Sequence, residues 1–462
     1  MQLVRNLRLY PLFQNDGFPR RILALAIPIM FQQMFVNLVN LLDNLMVGQL
    51  GETVMSAVAA ANKYNMIGLF AINGVGVAAG VYISQFYGAK EEERVRESYH
   101  FSLLASALIV ILLVLPGLLI PDKIGLFFVH DESVVQPIKD YFPMAVLSFV
   151  PQIYSFATQN AMRTLGESRK SLYLSLVAVL SNVVFNYIFI FGHLGAPVLG
   201  VKGAALGSLL ARTCELIATR LMVRKHRFIF SGHLRQVFTI HPAVTKAITR
   251  KALPLVINEI GYSSGMALLF KFYGTRGKQV LAAMAIMSTC SELFFAIFAG
   301  IAVATMVVVG QPLGANQLEE ARSNAYRLYK MGLLFAGVFS LLMLAASFIM
   351  PEFYAVSEEV KALAAYFLRL YAIFYVFYTI SSLAYQILRA GGAMRQTMIM
   401  DAGFFWLVNL PVVGMVAYLT DWSIEIMFLC GQLTDIVKCF VSSHLLVKEE
   451  WVTNLAAGVK VD

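Results

Sequence analysis

The stretch from Gln159 to Gly192, QNAMRTLGESRKSLYLSLVAVLSNVVFNYIFIFG, decides how the rest of the chain is read. It carries the end of one apolar span, a short basic turn and the whole of the next span. Asn182 and Asn186 lie one helical turn apart in that second span, so both amides fall on one face. The turn has an echo downstream. Arg163, Gly166 and Arg169 return as Arg389, Gly392 and Arg395, each 226 positions later. Working outward, the same displacement links Pro28 to Pro254, Gly48 to Gly274, Gly51 to Gly277, Gln85 to Gln311, Gly88 to Gly314 and Arg96 to Arg322. One register held from Pro28 to Arg169 marks a duplicated unit, because chance matches among common glycines would drift.

Composition says what is duplicated. The 462 residues are 59% hydrophobic and 14% charged, with a mean hydropathy of +0.70. Ordinary globular chains are about 45–50% apolar and about 25% charged. Apolar runs of about 20 residues recur, enough for helices to cross a ~30 Å hydrocarbon layer. The expected class is an all-α polytopic membrane protein with twelve transmembrane helices in two pseudo-symmetric six-helix lobes. The spans fall near 22–47, 54–86, 101–120, 138–162, 171–191, 198–223, 253–272, 280–312, 331–350, 363–388, 397–419 and 424–447. This gives an amino-terminal lobe over 1–223, a basic cytoplasmic linker over 224–252 and a carboxyl-terminal lobe over 253–462. Two six-pass copies share orientation, and rocking such lobes about the cleft between them is the usual basis of alternating access.

The net charge of +9 sits mostly between spans, where basic residues orient helices, so no nucleic-acid partner is expected. The odd-numbered connections and their flanks hold only Lys123, Lys139, Lys202, Arg276, Lys278 and Lys361. The positive-inside rule then places both termini in the cytoplasm of a multi-pass plasma (inner) membrane protein. The four cysteines lie in apolar runs without a CxxC pair, which reads as buried free thiols. Arg5, Arg8, Arg20 and Arg21 run directly into a full-length span, so no cleavable signal peptide is expected.

Catalysis finds no foothold. The sequence has no HExxH, P-loop, GxSxG or GxGxxG after a strand. The expectation is a non-enzyme without cofactor, driven by an ion gradient because no nucleotide motif is present.

Ionisable groups inside a span are costly and are functional candidates by default. Asp43 lies in FVNLVNLLDNLMVGQLG, 15 residues after Pro28, in the outer half of the first span. Asn37, Asn40 and Asn44 lie close enough in helical angle to form one polar face with it. Glu259 and Asp401 lie at similar depth on the seventh and eleventh spans; two acids in low dielectric would suit proton coupling. The plainer alternative pairs one of them with Arg369 or Lys271. Asp435 and Lys438, at i and i+3, read as local neutralisation. Gly76 and Gly80 form a small-xxx-small face suited to close helix packing. Aromatic residues near the acids, Phe404 and Trp406 among them, could hold a flat cation by cation–π contact.

Taken together, several motifs resemble the multidrug and toxic compound extrusion (MATE) family. They are IPIMFQQ with LLDNLMVGQLG, VGVAAGVYISQFYGAKEEERV, QNAMRTLGESRKS, NVVFNYIFIFGHLGAPVLGVKGAALGS, LPLVINEIGYSSG, GQPLGANQLEEAR and LRAGGAMRQTMIMDAGFFWLVNLP. The resemblance spans nearly the whole chain. It implies a secondary antiporter that exports small organic compounds, often cationic, in exchange for Na+ or H+, through two six-helix lobes. It also implies ion-coupling roles for Asp43, Asn182, Asn186 and Ser208 in the amino lobe, with Asp43 and Asn182 as Na+ contacts. Glu259 and Asp401 are implied as carboxyl-lobe acids; from the residues themselves, Asn40, Phe404 and Trp406 are the expected substrate contacts. Asn186 stands where some members carry aspartate and Ser208 where some carry threonine, so the amino-lobe site has one acid where those members have two. Ala393 departs from a common aspartate in a cytoplasmic loop. The competing reading is a flippase for a lipid-linked saccharide, which would need a basic cavity. The in-span charges lean acidic, opposed by Lys63, Arg212, Lys271, Arg369 and Lys438.

Overall fold

The structure is a computed structural model that describes residues 2–12, 16–128, 132–230, 237–354 and 356–459. Residues 231–236 of the expected linker therefore lie outside the described residues. Twelve long helical rods follow one another. In the first half these are α1 (Phe18–Gly48), α2 (Glu52–Gly88), α3 (Glu92–Leu119), α4 (Val135–Leu147 and Phe149–Thr164, interrupted at Ser148), α5 (Ser168–Phe191) and α6 (Val201–His226). In the second half they are α7 (Pro242–Gly274), α8 (Lys278–Thr305, continuing through a π turn to Gly314), α9 (Leu318–Ile349), α10 (Glu358–Ala390), α11 (Met394–Leu419) and α12 (Ile424–Val447). Among the described residues nine are long and apolar enough to cross a membrane; the other three are α4, α6 and α12.

Local chemistry sets many of the ends. Ser357 caps α10 by accepting from the Val360 amide, and Glu358 and Glu359 place negative charge on its first turn. Gly192 ends α5 in the left-handed conformation that glycine reaches without strain. The duplication is written into the backbone. Gly51 and Gly277 have φ of 104° and 115°, Gly166 and Gly392 have 90° and 77°, and each pair is 226 positions apart. Lys90 and Asn316, one more such pair, have φ of 62° and 60°.

The chain divides into two compact units, one of residues 1–30 with 257–458 and the other of residues 31–256 with 459–462. The divisions in α1 and α7 each fall two residues after an interior proline, Pro28 and Pro254. An interior proline deletes one ladder hydrogen bond and bends the helix there. Each unit has its own core, and the two cores use equivalent positions. Val47, Ala57, Val58, Ile138, Tyr141, Phe142 and Ile190 fill one. Tyr273, Ala283, Met284, Ala364, Phe367, Leu368 and Val416, each 226 residues on, fill the other. The residue types differ while the positions hold, which is how a duplicated backbone diverges without losing its packing.

Close packing on small residues is plain in unit 2. Asn160 donates to the Gly76 carbonyl at 2.6 Å, and Gly80 packs against Thr164 and Asn160, so the Gly76 and Gly80 face does seat α4 on α2. The α5–α6 approach is tighter still. A Cβ at Gly203 would stand 2.3 Å from the Phe189 carbonyl oxygen. In unit 1 the amino-terminal segment is clamped by Arg327, whose guanidinium grips both Asp16 carboxylate oxygens and lies 4.2 Å from the Phe18 ring centre. That guanidinium holds the Asp16 carboxyl well below the usual carboxylate range, so the clamp stays ionised at any physiological pH.

Candidate functional site

In unit 2 the geometry converges on Asp43. The carboxylate leaves α1 and meets two amides from α5, with a hydroxyl from α6 behind one of them. Asn186 donates to Asp43 Oδ1 at 2.7 Å, and Ser208 lies 3.3 Å from Asn182. Asn186 is fully buried and Asn182 nearly so, as their one-turn spacing on α5 requires. Gly207 makes this possible, because a Cβ there would come within 2.2 Å of Asn186 Oδ1. Gly207→Ala should therefore push Asn186 off Asp43 and lower ion-dependent transport by about tenfold, a loss of one charge-assisted hydrogen bond. Uptake at saturating substrate measures it, and unchanged uptake would show that the Asn186 contact is dispensable.

The Asn182 amide nitrogen points at Asp43 and donates at 2.7 and 3.1 Å to the two carboxylate oxygens, which leaves its oxygen toward Ser208. Among the described residues no base forms an ion pair with Asp43. Arg212, on α6, gives its guanidinium to Glu215 at 2.9 Å instead. Asn40 and Asn44, expected on the same polar face, are exposed, and Asn37 accepts from Gln33.

Unit 1 treats its acids differently. Glu259 lies 3.5 Å from Arg389, and Asp401 accepts from Lys438 at 2.9 Å and from Asn258 at 3.2 Å. The bases are not the Lys271 or Arg369 expected above; Arg369 instead lies over the Phe348 ring at 4.4 Å. Lys438 likewise departs from the expected local pair with Asp435 and reaches across to α11. Arg389 escaped the inventory of in-span bases because it stands in the last turn of α10. Tyr385 ties the group together, accepting from Arg389 at 3.0 Å and from Asn258 at 3.1 Å.

The same four positions form a hub in unit 2. Gln32, Gln159, Ser175 and Arg212 precede Asn258, Tyr385, Asp401 and Lys438 by 226 residues each, and Gln32, Gln159 and Ser175 are mutually hydrogen-bonded. Arg212 joins through Glu215, which accepts from Gln159 at 2.7 Å. Extending the 226 register to polar positions would have exposed this network from the sequence.

With these arrangements in view, comparison with known proteins is decisive at the level of family. The MatE family model matches residues 28–188 and matches again at residues 254–414, both bounds displaced by 226. The chain belongs to the MatE family. It is therefore a membrane transporter of the multidrug and toxic compound extrusion class and not an enzyme. Two bacterial relatives are a probable multidrug resistance protein NorM from Oceanobacillus iheyensis and the multidrug resistance protein MdtK of Yersinia pseudotuberculosis. The first is 26% identical and covers 86% of this chain and 89% of its own; the second is 24% identical, with 88% and 89%. A MATE crystal structure in the bent conformation superposes with a TM-score of 0.85 at 18% identity, covering 98% of this chain and 100% of that one. A MOP superfamily transporter from Pyrococcus furiosus, described as having a binding pocket of reverse polarity, gives 0.83 at 20% identity, with 96% and 98% covered. These likenesses carry the twelve-helix, two-lobed fold expected from the repeat.

Within the MatE fold the expected substrate contacts separate. Phe404 lines a cavity of about 410 Å³ inside unit 1, together with Asp435 and Lys438. Trp406 is not among its lining residues; the indole donates to the Gly261 carbonyl at 2.7 Å. Asn40 belongs to unit 2.

Proposed function

We propose that this MatE protein is a secondary antiporter of the plasma membrane, with both termini cytoplasmic, that exports small organic compounds, often cationic, in exchange for Na+ or H+ at Asp43. The names of its relatives support multidrug efflux. One observation supports the coupling site: of the three acids the sequence singles out, Asp43 has no ion-paired base among the described residues, whereas Glu259 and Asp401 each have one. A half-buried carboxylate without a counter-charge gains from taking up a cation far more than one already neutralised. The Asn182 and Asn186 amides both donate to the carboxylate, and Ser208 stands behind Asn182 on α6.

Among the described residues no three His, Cys, Asp or Glu side chains cluster. An alkali ion here would be held by one carboxylate with amide and hydroxyl oxygens, a donor set suited to Na+ and too poor in charge for a divalent metal. Glu259 and Asp401, neutralised by Arg389 and Lys438, act in this reading as the carboxyl lobe's electrostatic hub. A flippase for a lipid-linked saccharide fits less well, since two of the in-span bases that would meet a pyrophosphate, Arg212 and Lys438, are paired with Glu215 and Asp401.

Inverted membrane vesicles test the reading. A fluorescent organic cation should accumulate when an outward-directed Na+ or proton gradient is imposed singly. Failure of both gradients to drive uptake would sink the antiport assignment.

A further inference from the structure

We propose that the start of α7 binds an anionic glycerophospholipid of the cytoplasmic leaflet, with Lys246 and Arg250 holding its phosphate. The proposal rests on the orientation given above, which turns this end of α7 to the cytoplasm, and it adds a ligand that is not cargo.

Within unit 2, Ile240, Pro242, Thr245, Lys246, Thr249 and Arg250 line an open groove of about 630 Å³. Lys246 and Arg250 stand one helical turn apart on one face of α7. Both are exposed, and neither forms an ion pair among the described residues. Elsewhere in this unit, Arg94 and Lys170 have carboxylates of their own in Glu91 and Glu167. The backbone beneath the groove is held, since Tyr82 on α2 donates to the Ala247 carbonyl at 3.3 Å.

The groove is more than a helix end. His241 already meets the first amides of α7: its carbonyl accepts from Thr245 at 3.1 Å and its Nδ1 from Ala243 at 3.2 Å. Glu97, on α3, accepts from the His241 amide at 3.2 Å. The donors that the groove presents are therefore the two cations and the Thr245 and Thr249 hydroxyls.

Apolar surface lies directly beside this charge. Ile240 and Pro242 form part of the wall, Phe238 is 80% exposed just upstream, and Leu253 is 61% exposed on the face that carries Lys246 and Arg250. Along the axis Lys246 and Arg250 precede Leu253 by about 10 Å and about 5 Å. The polar layer outside the hydrocarbon is about 5–8 Å deep on each side, so the two cations stand at headgroup level when Leu253 meets the acyl chains.

A soluble phosphate would use the cations and leave the apolar surface in water. An anionic lipid uses both, with its phosphodiester on Lys246 and Arg250 and its chains along Pro242 and Leu253. Basic pockets on the cytoplasmic side of membrane helices recognise such headgroups, and the planar guanidinium matches paired phosphate oxygens. Phosphatidylcholine carries its own cation beside the phosphate and gains less from the protein's.

Binding is measured in a way that does not depend on orientation. Full-length protein in uncharged maltoside detergent is titrated calorimetrically with dioctanoyl phosphatidylglycerol, dioctanoyl phosphatidylcholine and glycerol 3-phosphate. Phosphatidylglycerol should bind at least about tenfold more tightly than either of the others. Lys246→Gln with Arg250→Gln should bring that preference to within about twofold of unity. Arg224→Gln with Lys225→Gln, an exposed pair at the end of α6 outside the groove, should preserve it. Equal affinity for the two lipids, equal affinity for glycerol 3-phosphate, or a preference that survives the change at 246 and 250 overturns the proposal. So does its loss in the α6 variant, which would mean a diffuse response to charge. If the double variant does not fold, Lys246→Gln alone decides, and should cut the preference to about a third of the parent's. The leaflet is read separately: in inverted vesicles Lys246→Cys should react with an impermeant maleimide, above the parent's background, without lysis. Reaction only after lysis would overturn the orientation and leave the binding result standing.

Discussion

Vesicles carrying Asp43→Asn should no longer concentrate substrate against an imposed ion gradient, although the protein remains folded. A tenfold gradient of a monovalent ion stores about 1.4 kcal/mol, enough to support tenfold accumulation in one-for-one exchange. Asparagine can neither release a proton nor neutralise an alkali ion, so accumulation should fall to the ratio set by the membrane potential alone. The fold should tolerate the change. Asn186 can still hydrogen-bond the new amide oxygen at the 2.7 Å it now spans, and an uncompensated charge has been removed from the interior. Thermal unfolding in detergent should thus show no loss of stability. Ser208→Ala, which removes the outer link at 3.3 Å, should slow transport without abolishing accumulation. A parent-like accumulation ratio in Asp43→Asn would falsify the coupling site.

The duplication and the span count were legible because both depend on local facts: hydropathy over about 20 residues and glycines whose positive φ no other residue adopts cheaply. Asp43 stood out as a carboxylate inside the first apolar span, while its link to Asn182 and Asn186 came only from the family resemblance. The partners of Glu259 and Asp401 were not legible. Their bases lie on α10 and α12, so the pairs depend on which helices touch and how far a flexible side chain reaches. Lys438 illustrates the limit. At i+3 from Asp435 it looked locally satisfied, yet its long stem carries the ammonium to Asp401 on another helix. The asparagines at 40 and 44 show the converse: proximity in helical angle to Asp43 did not bring them into its network, because the face that packs is set by α5 and α6. Only the 226 register, applied to polar as well as glycine positions, would have shown that Asn258, Tyr385, Asp401 and Lys438 form one group.

That group should also carry the largest stability effect. Lys438 and Asp401 are 11% and 19% exposed at the side chain and 2.9 Å apart, so each removes most of the other's desolvation cost. Lys438→Met leaves the Asp401 carboxylate with only the Asn258 amide, and breaking a buried pair from one side costs about 3–5 kcal/mol. Asp401→Asn strands the ammonium and should cost a similar amount, tempered by Asp435 nearby on α12. The double variant Asp401→Asn with Lys438→Met leaves no orphaned charge and should lie closer to the parent than either single change. Unfolding curves for the four proteins give the coupling energy directly. Additive losses would mean that the pair is two independent solvated charges. A large coupling would mean that the carboxyl lobe's acid is held permanently by a cation of the chain itself, which is why the exchangeable ion is assigned to Asp43.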